Sequence, residues 1–171
     1  QGKTATDTIT VHSADGTPHQ VTITVNGTND SALIAGTTSG SVTEESKLHA
    51  SGQLSISDLD SGQDHFQSTD IKGAYGSLHI DTDGLWTYDL DNSTVQALGD
   101  GDKLSETLTV NAADGTPHDI KVWVYGSNDA PVVSAEVVLT NGTEDTSIQL
   151  STAELLANAT DVDHNDLGQL S

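Results

Sequence analysis

The feature that most constrains this chain is that it repeats itself. Residues 7–30 read DTITVHSADGTPHQVTITVNGTND and residues 106–129 read ETLTVNAADGTPHDIKVWVYGSND. Asp15 matches Asp114 and Asn29 matches Asn128, each 99 positions further on. A weaker match follows. Thr43-Glu44-Glu45-Ser46 recurs as Thr143-Glu144-Asp145-Thr146, and Asp58-Leu59-Asp60 recurs as Asp161-Val162-Asp163. A period of about 100 residues suits an immunoglobulin-sized β-sandwich and is too long for a solenoid repeat. The chain is therefore cut out of phase with its repeat. Residues 1–30 form the C-terminal part of one unit, 31–129 a complete unit, and 130–171 the N-terminal part of a third.

Local patterns are almost entirely β. Apolar residues alternate with threonine in Thr8-Ile9-Thr10-Val11 and Val21-Thr22-Ile23-Thr24-Val25, as half-buried strands require. The same period runs through Leu54–Ile56, Ser77–Ile80, Trp86–Leu90 and Leu108–Val110. Asp15-Gly16, Asp83-Gly84 and Asp114-Gly115 lie between such runs and read as hairpin turns. Parity constrains the first hairpin further. For Ile9 and Val11 to share a face with Val21 and Ile23, paired positions must sum to an even number. A two-residue Asp15-Gly16 loop fails this test, so a three- or five-residue loop is expected unless the strands lie in different sheets. Ser151–Ala157 is the one helical signal and opens like a capping box, and a shorter turn is expected at Thr94–Leu98. The expected core of the central unit is Leu54, Ile56, Phe66, Leu78, Ile80, Trp86, Tyr88, Leu90, Leu108, Val110, Ile120, Val122 and Val124. Trp123 and Tyr125 alternate with Val122 and Val124 and fall on the outer face.

Charge narrows the partners. Twenty-six acidic residues face five basic ones, all lysine, for a net charge of -21. That field repels nucleic acid and anionic membrane surfaces, so neither is expected as a partner. Without cysteine there is no disulfide, thiolate metal site or cysteine nucleophile. The longest apolar runs are only a few residues, so no insertion into a membrane is expected. No secretory signal opens the chain, and an export address would lie outside these residues.

The acidic residues gather at the unit ends. Asn29-Asp30 and Asn128-Asp129 close their units, Asp58-Leu59-Asp60 and Asp161-Val162-Asp163 follow about thirty residues later, and Glu44-Glu45 lies between. Carboxylate and amide oxygens without regularly spaced histidine or cysteine suit a hard cation such as Ca2+, which takes about 6–8 oxygen ligands. The plainer reading is that they are turn residues and solubilising charge.

Residues 52–129 carry Gly52-Gln53-Leu54, Asp58-Leu59-Asp60, Phe66, Gly73-Ala74-Tyr75-Gly76-Ser77-Leu78, Asp83-Gly84-Leu85-Trp86-Thr87-Tyr88, Val95-Gln96-Ala97-Leu98, Ala113-Asp114-Gly115 and Gly126-Ser127-Asn128-Asp129-Ala130-Pro131. This string resembles the VCBS repeat of very large bacterial surface adhesins of the RTX type, exported by type I secretion. Residues 1–30 resemble the end of another copy. Residues 130–171, with Glu144-Asp145 and Leu155–Asp163, resemble the start of a bacterial cadherin-like repeat. The resemblance implies an all-β fold, an immunoglobulin/cadherin-like antiparallel β-sandwich in tandem. It implies extender modules at the bacterial cell surface that hold an adhesive tip away from the cell, with neighbouring repeats as their partners. It also implies calcium at the junctions. By that analogy Asn29, Asp30, Asp58 and Asp60 serve the first junction, and Asn128, Asp129, Asp161 and Asp163 the second. Glu44 or Glu45 would reach the second junction from the body of the central unit. The glycine-rich nonapeptide calcium repeat of RTX toxins is absent.

Other chemistries fit the residues less well. His12, His19, His49, His65, His79, His118 and His164 show no zinc-ligand spacing. Neither a Gly-x-Ser-x-Gly elbow nor a phosphate loop occurs, and Asp58 and Asp60 are too close on one strand to flank a glycosidic bond, so no enzyme is expected. The rival reading is direct binding of a glycan or of ice. Threonine ladders such as Thr8-x-Thr10 and Thr22-x-Thr24 could order water or sugar hydroxyls, but threonine simply favours exposed strand faces. The ladder is not kept between copies, since Thr24 aligns with Trp123 and Asn26 with Tyr125.

Overall fold

The computed structural model describes residues 2–139 and 141–163. The chain opens as a hairpin of β1 (Thr4–His12) and β2 (Pro18–Asn26), paired so that Ile9 faces Val21 and Asp7 faces Ile23. Paired positions sum to 30, the even value that parity demands, and the connecting loop is the five residues 13–17. Its second occurrence, β9 (Lys103–Asn111) with β10 (Pro117–Tyr125), has the same register 99 positions on, with Lys103 opposite Tyr125 as Thr4 is opposite Asn26.

Between the two hairpins lie β3 (Leu33–Gly36), β4 (Ser39–Thr43), β5 (His49–Ser57), β6 (Thr69–Lys72), β7 (Gly76–Ile80) and β8 (Leu85–Leu90). With β9 and β10 they form two sheets, one ordered β3-β5-β8-β7-β6 and the other β4-β10-β9. The first is antiparallel throughout. In the second, β4 runs parallel to β10, pairing Val42 with Val124, which departs from the wholly antiparallel sandwich expected. Thr37-Thr38 explains it. These residues carry the chain from the edge of one sheet to the edge of the other, with Thr37 N–H still bonded to Gln53 in the first and Thr38 C=O already accepting from Lys121 in the second. A direct sheet switch keeps the chain direction, so β4 meets β10 in parallel.

The core fills the space between these sheets. Every expected core residue is buried except Ile56, which is half-buried and packed against the others. Val42 and Val95 complete the core, although the sequence pattern did not single them out. Trp86 stands at its centre with no exposure, its indole N–H donating to Thr37 C=O at 2.8 Å. Two glycines make room for that ring. A Cβ on Gly52 would lie 2.6 Å from Trp86 Cζ2, and one on Gly40 would lie 2.9 Å from Cη2. Tyr88 is equally buried, and its hydroxyl donates to Glu106 across the sandwich. Trp123 and Tyr125 take the outer face as alternation requires.

After the sandwich, β11 (Val132–Val133) pairs with β12 (Ala159–Thr160), repeating in the third segment the opening pairing of β3 with β5. Between them α1 (Thr152–Leu155) begins with Ser151 as N-cap and a complete Ser151–Glu154 capping box, though it is shorter than the expected 151–157. The turn expected at Thr94–Leu98 appears as a 3-10 helix at Asn92–Thr94, followed by a Leu98 N–H bond to Val95 C=O.

The two hairpins differ in what covers them. Val110, Ile120, Val122 and Val124 are fully buried, whereas their counterparts Val11, Val21, Ile23 and Val25 are 43–61% exposed. Equal backbone pairing with unequal burial separates local from tertiary stabilisation, so native-state hydrogen exchange should find the amides of β1 and β2 far less protected than those of β9 and β10. Equal protection in a strict monomer would contradict this. For the aromatic residues, Trp86→Ala should cost about 3–5 kcal/mol. Trp123→Thr, which installs the residue of the other copy, should change stability by less than about 1 kcal/mol in chemical denaturation.

Candidate metal centre

The geometry at the linker begins with β4. Its parallel pairing with β10 continues one step past the strand, where Glu44 N–H donates to Tyr125 C=O at 3.0 Å. The side chain of Glu44 is thereby carried to the end of β10 and fully buried, and its Oε1 accepts from Ser127 N–H at 3.3 Å. The next residue, Glu45, adopts φ of 57°. This left-handed turn sends the chain away, leaving Glu45 exposed with its N–H held by Asn92 Oδ1 at 2.9 Å. Of the two glutamates offered by the sequence, Glu44 is the one facing the linker.

From the other side come Asp129 and Asp163. Asp129 N–H donates to Asp163 Oδ2 at 2.7 Å, and Asp163 N–H donates to Asp161 Oδ1 at 3.0 Å. Asn128 Nδ2 donates to Asp129 C=O at 2.7 Å, tightening the turn. The result is a trio, Glu44, Asp129 and Asp163, whose carboxylate oxygens approach within 4.8 Å of one another. It is the only such group among the described residues. Glu44 Oε2, Asp129 Oδ2 and Asp163 Oδ1 are each buried without a hydrogen-bond partner. Burial pushes the Glu44 carboxyl up, opposed by the Ser127 N–H and reinforced by the charges of Asp129, Asp163 and Glu45. The sign follows: unless a cation offsets it, Glu44 favours the fold most below the glutamate range and opposes it as pH rises through its raised pKa. Three converging carboxylates with free buried oxygens are a donor set for a hard cation.

The first junction has the same wiring. Asp30 N–H donates to Asp60 Oδ2 at 2.9 Å, Asp60 N–H to Asp58 Oδ1 at 2.7 Å, and Asn29 Nδ2 to Asp30 C=O at 2.8 Å. Asp58 Oδ2 is buried without a partner, as are the free oxygens of the trio. The Asp30 N–H is the main influence holding Asp60 below its ordinary range. Here no third carboxylate closes the group among the described residues.

A residue not foreseen as part of this junction is Asp114. Its Oδ2 accepts from Ala32 N–H at 3.2 Å and Asn29 Nδ2 at 3.4 Å, so the tip of the β9–β10 hairpin is bonded to the linker. The Thr116 hydroxyl and then its N–H hold Asp114 down to about 2. Its Asp-Gly turn signal hid this second task, and only the 99-residue match with Asp15, which makes no such contact, separates turn from tether. None of the described histidines joins the carboxylate trio; His49 and His79 pair with Asp89 and Asp70 on the exposed sheet, and His164 lies outside the described residues.

No curated protein matches the chain. Residues 127–170 match a cadherin-like domain, the kinship expected for that segment from its own motif. Residues 29–126 match the bacterial cadherin-like domain, so the cadherin relationship extends to the central sandwich, where the VCBS repeat had supplied the resemblance. That match alone spans more than half of the 171 residues, and the chain belongs to the bacterial cadherin-like domain family.

Proposed function

We propose that this chain is a non-catalytic, calcium-binding extender of a bacterial cell-surface adhesin, in which calcium stiffens the junctions between successive sandwich units. In this reading residues 31–129 are one whole unit, flanked by the end of the preceding unit and the start of the next. The parent protein is exported by type I secretion, and the chief partners of each unit are its neighbours in the chain.

The observation that carries the proposal is the origin of the trio. Glu44 comes from the sandwich, Asp129 from the linker and Asp163 from the segment beyond it. Calcium–oxygen bonds are about 2.3–2.6 Å, so two ligands of one ion lie at most about 5 Å apart. The 4.8 Å limit on the trio meets that requirement. An ion held there joins two bodies, and restrains the angle between them, instead of decorating one. In its absence the like charges repel across the linker, with only five lysines in the whole chain to oppose them. Asp161 orients Asp163 through its N–H bond, and Asn128 orients Asp129 through its C=O, so both support the ligands.

Calorimetry should detect calcium binding between micromolar and millimolar concentrations, the range of extracellular sites. At a hundredfold excess over Kd the stabilisation should approach about 2.7 kcal/mol. Asp161→Asn with Asp163→Asn should remove most of it while the central sandwich stays folded. Glu44→Gln should stabilise the calcium-free protein at neutral pH, by removing a buried uncompensated charge, and should weaken calcium binding. Small-angle scattering should show the protein extending on calcium addition and bending in chelator. No binding at millimolar calcium, or unchanged binding in the double variant, would refute the junction.

A further inference from the structure

On the outer face of the small sheet, two of the five lysines of this acidic chain lie against two aromatic rings, and a third stands close by. Lys103 Nζ lies 3.7 Å from the centre of the Trp123 ring and 5.1 Å from that of Tyr125, while Lys121 Nζ lies 4.0 Å from Trp123. Lys47 Nζ reaches Ser41 Oγ at 3.3 Å, and Ser41 is the β4 residue paired with Trp123. Among the described residues, none of these lysines has a carboxylate partner, although acidic side chains outnumber basic ones fivefold. The nearest acidic residue along this face of β10, Asp119, is engaged by the Thr109 hydroxyl at 2.6 Å.

The fold does not require this cluster. In the first hairpin, whose register is the same, Thr4, Thr22, Thr24 and Asn26 occupy the positions of Lys103, Lys121, Trp123 and Tyr125. Four exchanges on one face, all towards aromatic or cationic residues, give this copy a surface chemistry that the other lacks. We infer that this surface is a docking face for an acidic saccharide, a glycan whose sugar rings carry carboxylates. The part of the Trp123 and Tyr125 rings left exposed beside the lysines offers apolar surface to pyranose C–H groups, and the ammonium groups, which no described carboxylate engages, suit the sugar carboxylates. A polymer as densely charged as nucleic acid is opposed by the net charge of -21. A short acidic oligomer is opposed far less, because it brings only a few charges to the chain and the field falls off beyond about 8 Å at physiological salt, whereas the lysines act at contact. The face shares no residue with the carboxylate trio, so this inference stands or falls apart from the calcium junction.

The test is a tryptophan-fluorescence titration with a short oligogalacturonate and with the neutral oligogalactoside of equal length, each with calcium and with chelator. The acidic oligomer should bind at about millimolar Kd, more weakly as salt rises, and binding should persist in chelator. The neutral oligomer should bind at least tenfold more weakly. The variant K103T/K121T/W123T/Y125N, which writes the first hairpin into the second, should lose binding, read for this variant by calorimetry, with its melting temperature nearly unchanged. Should that variant unfold, K103Q/K121Q, which keeps both rings, should lose the preference for the acidic oligomer. Equal binding of both oligomers, no binding of either, or undiminished binding by a folded variant would overturn the inference. So would self-association of the parent that the variant abolishes, because the face would then dock a second copy of the chain.

Discussion

The parallel pairing of β4 with β10 is the constraint on which the rest of the molecule depends. Trp86 and Val42 need β4 closed over the core, and closing it in register with β10 places Gly40 against the indole and Val42 beside Val124. The same register brings Thr43 beside Tyr125, so the next amide, of Glu44, finds the carbonyl of Tyr125. A slip of one residue would turn Val42 outward and Glu44 away from Ser127 together. Core packing and the position of the buried carboxylate are thus one decision of the backbone.

A buried carboxylate is expensive unless it is paired. The desolvation cost of an ionised group inside a protein is several kcal/mol after relaxation, and one bond of 3.3 Å from Ser127 N–H offsets little of it. Placing Asp129 and Asp163 alongside makes the position worse if considered as stability alone, since each charge raises Glu44 further. A sandwich that needed only to fold would put a threonine or leucine there. The elements that fix Glu44 are the rigid ones, a strand and a left-handed turn at Glu45, while the Asp163 carboxylate accepts from the Asp129 N–H and no lysine pairs with either aspartate among the described residues. Rigidly placed carboxylates with spare oxygens are the donor set a hard cation would need.

How much of this was legible in the sequence depended on whether a feature was local or relational. Strand faces followed from alternation, so Trp86 fell inside and Trp123 outside, and parity alone recovered the five-residue loop at 13–17. The repeat made the two junctions recognisable as one device used twice. What stayed hidden depended on pairing across the fold. Glu44 and Glu45 are chemically alike, and only the register of β4 and the positive φ at Glu45 decide which one is buried. Asp114 has a sufficient local explanation as a turn residue, which masks its bonds to Asn29 and Ala32. The parallel pairing was invisible because Gly40 and the serines of β4 offer little hydrophobic periodicity, their small size being what the indole needs.

The third segment extends the same logic along the chain. Val132 pairs with Thr160 and Val133 with Ala159, the pairings of Leu33 with Ser57 and Ile34 with Ile56 transposed onto the next repeat. Asp145 has φ of 64°, matching Glu45 at 57°, and these are the only non-glycine residues with positive φ among those described. A left-handed aspartate or glutamate costs about 1 kcal/mol, and its recurrence one period later marks a conformation the unit retains. Glu144 therefore precedes that turn as Glu44 does. In the proposed reading, Glu44 supplies one half of the site and Asp129 with Asp163 the other, so neither half is complete alone.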